Sequence, residues 1–113
     1  MMRAASYLVT HEDTPAAESP VFTEAERSYC LSRGNPAASL AARLAAKHAT
    51  IAALGLSTDA RLAEVEVTRE TSGRPGLRFY GEAERAFRDA GLTRAHVSLT
   101  HSGEYAAALV ILE

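Results

Sequence analysis

An α+β fold, with an antiparallel sheet packed on one central helix, is what this sequence predicts, and three observations predict it. Ala37 to Leu54 is a long stretch dominated by Ala and Leu whose apolar residues recur at helical spacing. Later stretches alternate with period two and fall into two pairs, each joined by a Gly-containing turn, which is the pattern of hairpins. Two further short segments, after Thr23 and after Gly81, carry the start signals or one-sided apolar pattern of short helices.

In chain order, Ser6 to Thr10 (SYLVT) reads as one strand, and His11 to Pro20, with two prolines among small polar residues, reads as loop. Thr23 with Glu26 three residues on is a capping box, opening a first helix that runs to Arg33 with Ala25, Tyr29 and Cys30 at helical spacing. Gly34-Asn35-Pro36 stops it, because proline lacks an amide hydrogen and disfavours helical angles before it. On the central helix Leu40, Leu44, His48 and Ile51 share one face, Arg43 and Lys47 form a cationic row beside it, and Gly55 is the stop. Glu64 to Arg69 and Leu77 to Tyr80 make the first hairpin, around Ser72 to Gly76. Glu82 to Ala90 places Ala83, Ala86, Phe87 and Ala90 on one side of a short helix, and His96 to His101 pairs with Tyr105 to Leu112 through the Ser102-Gly103 turn.

A length of 113 residues suits one hydrophobic core, so residues 1–113 are read as a single domain. Hydrophobic residues at 47% and charged residues at 23% exclude a disordered chain. A net charge of −2 and a pI near 6.1 exclude the basic field that draws in nucleic acid. A small phosphorylated ligand stays compatible, because it needs only a few local Arg and Lys groups. No apolar run approaches the roughly 20 residues of a membrane span and no signal-like stretch opens the chain, so a cytoplasmic protein away from membranes is expected. The single cysteine, Cys30, is read as a buried inert thiol.

Four ordered pieces carry a resemblance to a known family: FTEAERSYC from Phe22 to Cys30, SLAARLAAK from Ser39 to Lys47, SGRP from Ser72 to Pro75 with Gly81 beyond, and HVSLTHS from His96 to Ser102 with Tyr105-Ala106. In order and spacing they resemble the holo-acyl-carrier-protein synthases, over about residues 22 to 113, leaving 1–21 as a divergent N-terminal segment. The resemblance implies a compact trimer with coenzyme A in clefts between subunits. It implies transfer of phosphopantetheine from coenzyme A to a serine of an acyl carrier protein, with a divalent cation bridging the pyrophosphate. Such transfer rests on charge neutralisation and alignment, which a carboxylate-held metal with nearby Lys and Arg supplies.

The same resemblance assigns residues. Arg43, Lys47, Arg74, Pro75, His101 and Ser102 match its coenzyme A and phosphate contacts. His48 stands where the family has a metal-binding Glu, and a hard cation such as magnesium is poorly served by imidazole, although zinc or manganese accepts nitrogen more readily. The metal is therefore left unassigned. Ala52 replaces a family Lys that reaches the phosphates. The second metal ligand of the family, an Asp ending the first strand, falls within YLVTHED from Tyr7 to Asp13, where Glu12 or Asp13 takes its place with His11 alongside and no motif fixes the register. His48, paired with Asp13 or Glu12, is then the candidate acid or base. The basic helix that docks the acidic carrier protein in the family is reduced here to the short His11 to Pro20 segment. The expected activity is accordingly a phosphopantetheinyl transfer that is lost or altered. The alternatives are a metal-independent enzyme using His48 on an acyl or carrier-bound substrate, and a non-catalytic partner of the carrier protein. His96, Ser98 and Thr100 share a strand face opposite Val97 and Leu99, and His96 is read as structural.

Overall fold

The computed structural model describes residues 1–57 and 59–113, with the side chains of 59 and 60 outside the description. Five strands and three α-helices follow in the order β1 (Arg3–Thr10), α1 (Glu24–Leu31), α2 (Pro36–Ala53), β2 (Val65–Arg69), β3 (Pro75–Phe79), α3 (Gly81–Asp89), β4 (Ala95–Ser102) and β5 (Tyr105–Leu112). The described residues form two antiparallel sheets, one ordered β1-β5-β4 and the other β2-β3. The expected α+β architecture is present, with α2 lying on the inner face of the three-stranded sheet.

Residues of small volume let helix and sheet approach closely. Ala41, Ala45, Ala46 and Ala49 of α2 are fully buried, and the inward residues of β5 begin with Ala106 and Ala108 before Val110 and Leu112. Full burial contributes roughly 1.5–3 kcal/mol for a side chain such as Val110 or Leu112 and only about 0.8 kcal/mol for each alanine methyl. Alanine here therefore serves packing as much as helix propensity. The opposite sheet face stays uncovered, with Leu8 61%, Tyr105 54% and Leu109 45% exposed.

Several boundaries move, each for a local reason. β1 begins at Arg3 rather than Ser6, because its whole length pairs with β5, from Arg3 opposite Leu112 to Thr10 opposite Tyr105. That ladder overrides the weak strand preference of Arg3 to Ala5. Pro36 does not merely end the first helix; it occupies the first turn of α2, where its missing amide costs nothing, and the Asn35 side chain caps that helix by accepting from the Ala38 amide at 3.2 Å. The helix α1 ends at Leu31, two residues short of Arg33, and a 3-10 helix, Asp59–Glu64, precedes β2 where no element was expected. At the start of α3, Tyr80 offers no side-chain cap; Glu64 supplies one, its carboxylate accepting from the Ala83 amide at 3.1 Å. Gly81, at φ 57°, lies against that carboxylate, and a Cβ there would meet its oxygen at 2.7 Å.

A larger correction concerns α2. The sequence pattern suggests one apolar stripe bordered by a cationic edge, but the helix is buried on nearly all sides and both Arg43 and Lys47 lie inside. The first sheet covers one side of it, while α1 and β2 cover others, so no solvated edge is left for the two cations.

Candidate functional site

Lys47 is the first of the predicted ligand contacts that the structure removes. Its ammonium is fully buried, 2.7 Å from Glu26 Oε1, and donates to the carbonyls of Leu62, at 3.2 Å, and Val65. Glu26 is the capping-box residue of α1: Oε1 also accepts from the Thr23 amide at 2.9 Å, and Oε2 accepts from the Val67 amide at 2.7 Å. One carboxylate thus closes a helix end, anchors β2 and balances a buried cation. Burial pushes the Lys47 ammonium below its ordinary range, and the Glu26 charge works against that push. A group so committed has no donor left for a phosphate.

Arg43, four residues earlier, has the opposite character. It is 3% exposed, its Nη1 donates only a long bond of 3.4 Å to the Ser39 carbonyl, and its Nε is enclosed without a hydrogen-bond partner. Its guanidinium carbon lies 4.5 Å from the centre of the Tyr29 ring, and Arg69 and Arg33 lie over the same ring at 5.1 and 5.3 Å. Tyr29 comes from the last turn of α1, Arg33 from the turn that follows it, Arg43 from α2 and Arg69 from the end of β2. Together with Ser39 and His101 they line a recess of about 270 Å3. Three guanidiniums converging on one aromatic ring give this recess a cationic lining, whose chemistry suits a multiply charged anion. Sequence reasoning found Arg43 and His101 but missed Tyr29, Arg33 and Arg69; the Arg33 and Arg69 positions carry no motif, and only the packing of α1 against β2 joins them.

The other candidates are dispersed. Arg74 and Pro75 line a separate recess of about 300 Å3 with Glu70, Arg94 and His96. Ser102 is exposed at the end of β4 and lines a shallow apolar dent with Leu8 and Tyr105. Glu12 and Asp13 are exposed in the turn after β1, where the Asp13 amide donates to Thr10 Oγ1 at 3.1 Å. The His11 amide donates to the Glu104 carbonyl at 2.9 Å, so this turn sits beside the β4–β5 turn. His11 itself is half-buried with Nε2 enclosed and unpartnered.

The residue of β1 that faces His48 is Tyr7. The two rings stack with centroids 4.3 Å apart and planes 13° from parallel. Sequence reasoning placed Glu12 or Asp13 across from His48 and passed over Tyr7, although period two along β1 puts Tyr7 on the inner face with Val9. A hard divalent cation needs several oxygen donors. The stack offers an imidazole and the face of a phenol ring, and the described residues contain no group of three or more His, Cys, Asp and Glu suited to a metal. The residues present do not fit such a cation, and no chemical step is assigned to one. His48 lies five residues beyond Arg43, about 7.5 Å along the helix and about 140° round it, so stack and arginine recess open on different flanks of α2.

Cys30 is fully buried, as expected, and burial raises its thiol above the ordinary value, against the lowering effect of Arg43. No helix among the described residues is long and apolar enough to cross a membrane.

No protein-family model matches the chain. A holo-acyl-carrier-protein synthase of Moorella thermoacetica is 45% identical over 94 residues, spanning 82% of this chain and 73% of that protein. One of Anaeromyxobacter dehalogenans is 46% identical over 93 residues, spanning 82% and 72%. Among solved structures, the ACPS–CoA complex of Chronobacterium ammoniagenes superposes with a TM-score of 0.85 at 29% identity, covering 100% of this chain and 97% of that one. The acyl carrier protein synthase of Mycobacterium tuberculosis gives 0.76 at 35% identity, covering 98% and 96%. With two curated relatives above 40% identity over four fifths of its length and the same fold throughout, the chain belongs to the holo-acyl-carrier-protein synthase family.

Proposed function

We propose that this chain binds coenzyme A and meets an acyl carrier protein, with a phosphopantetheinyl transfer that is lost or altered relative to its family. The observation that carries the reading is the arginine recess, where Arg33, Arg43 and Arg69 gather round Tyr29 with no carboxylate among the described lining residues. Coenzyme A supplies phosphates to these donors, and the relative in complex with CoA shares this fold. Arg74, Pro75, His101 and Ser102 are retained as further contacts, and Glu12, Asp13 and His48 as candidates for acid or base work. Their dispersal over separate recesses supports a homotrimer, because clefts between copies can gather what one chain holds apart. The uncovered sheet face with Leu8, Tyr105 and Leu109 supplies apolar surface for such an assembly.

Two measurements test this. In calorimetric titration, coenzyme A and ADP bind, whereas pantetheine, which lacks phosphate, binds at least tenfold more weakly; equal affinity for all three would remove the phosphate reading. Mass spectrometry of an apo acyl carrier protein incubated with this protein, coenzyme A and magnesium or manganese then reads transfer. No phosphopantetheine gain, under conditions where an authentic synthase modifies the same carrier, is the expected result for a lost activity. A full gain at the authentic rate would overturn the altered-transfer reading and leave an ordinary family enzyme.

A further inference from the structure

We infer that the flank of α2 at His48 works without a metal: the Tyr7–His48 stack fills the place between β1 and α2 where a carboxylate pair would hold a divalent cation. The geometry argues this from both partners. At 4.3 Å between centroids and 13° between planes, the rings are in van der Waals contact over their faces. An ion with its shell of oxygens at roughly 2.0–2.6 Å has no room between them. Tyr7 pairs across the ladder with the buried Ala108, so its ring is directed over the helix side of the sheet and held there by the strand register.

Glu12 and Asp13, the two carboxylates the sequence offers for this place, are remote from the stack. Thr10, the last residue of β1, lies about 10 Å along the strand from Tyr7. Glu12 and Asp13 follow it in the exposed turn beside Glu104. Anionic charge on a ligand is therefore met by Arg33, Arg43 and Arg69, whose guanidiniums stay protonated at any working pH, rather than by a bridging cation.

The inference rests on the family reading only for where a cation would be placed, and its test uses neither coenzyme A nor carrier protein, so the two fail separately. Manganese, which accepts both nitrogen and oxygen donors, is the permissive probe. Its free concentration is followed by electron paramagnetic resonance with the full chain as wild type, H48A, H48E and Y7D/H48E, each checked for a cooperative thermal transition. Wild type and H48A are expected to hold manganese equally weakly, and Y7D/H48E at least tenfold more tightly, because two carboxylates then face each other across the gap. Wild-type binding that H48A abolishes would overturn the inference. A folded Y7D/H48E with no gain would overturn the placement of the site. Should the double variant not fold, wild type against H48A carries the test: equal, weak affinity supports the inference, and wild-type binding lost in H48A overturns it.

Discussion

Lys47 and Arg43 sit one turn apart on the same helix and are both buried, yet they do opposite things. Lys47 meets a full-charge partner at 2.7 Å and two carbonyls, while Arg43 has one long bond, an aromatic face and an unspent donor. From the sequence they are indistinguishable members of a cationic i, i+4 row. What separates them is the neighbour each meets in space: α1 brings Glu26 to Lys47, and brings Tyr29, three residues later, to Arg43. A buried cation whose donors are all spent is committed to the fold, whereas Arg43 is held chiefly by the Tyr29 face, which leaves its charge beside the recess rather than neutralised.

The strongest way to break this contrast is to remove the Lys47 charge. K47M leaves Glu26 buried without its counter-ion and is expected to cost about 3–5 kcal/mol in urea unfolding. In E26Q/K47M no lone charge remains, but the single amide oxygen of glutamine can accept from only one of the Thr23 and Val67 amides, so part of that loss returns and part stays. A K47M loss under about 1 kcal/mol would show the pair to be dispensable and erase the distinction.

The companion substitution, R43M, should split the other way. Methionine keeps apolar contact with the Tyr29 ring and removes an enclosed Nε that nothing satisfies, so stability is expected to stay within about 1 kcal/mol of wild type. Affinity for ADP should fall at least tenfold, about 1.4 kcal/mol, in calorimetric titration. A variant that unfolds like K47M but binds ADP normally would reverse the assignment.

How much of this was legible depended on whether a signal was local. The capping box at Thr23 and Glu26, both hairpins, and the strand faces of Val97 and Leu99 against Ser98 and Thr100 rest on contacts within a few residues and were readable. Long-range placement was not. Glu26 reads as a cap, and nothing near it announces that its second oxygen anchors β2, 41 residues away. Tyr7 carries no metal-ligand signal in the sequence, and only the strand register brings its ring to His48. Pro36, read as a terminator, serves as an initiator because Asn35 caps the helix behind it.

Cys30 reports on both cations at smaller scale. Its thiol is raised above 9.0 by burial first, while Arg43 lowers it and Glu26 raises it. The folded state therefore keeps a proton that the unfolded chain releases above pH 9.0, so this group's contribution is complete below that pH and is lost as pH rises through the folded value. Lys47, lowered in the folded state, acts with the opposite sign below 10.5, and subtracting C30A from wild type cancels it. The difference in unfolding free energy should be flat to about pH 8 and shrink above pH 9. Repeating the subtraction in the R43M background removes the Coulombic lowering, so the same shrinkage should extend over a wider alkaline range. An unchanged range there would mean that Arg43 does not sense Cys30, and would weaken the placement of its charge at the inner end of the recess.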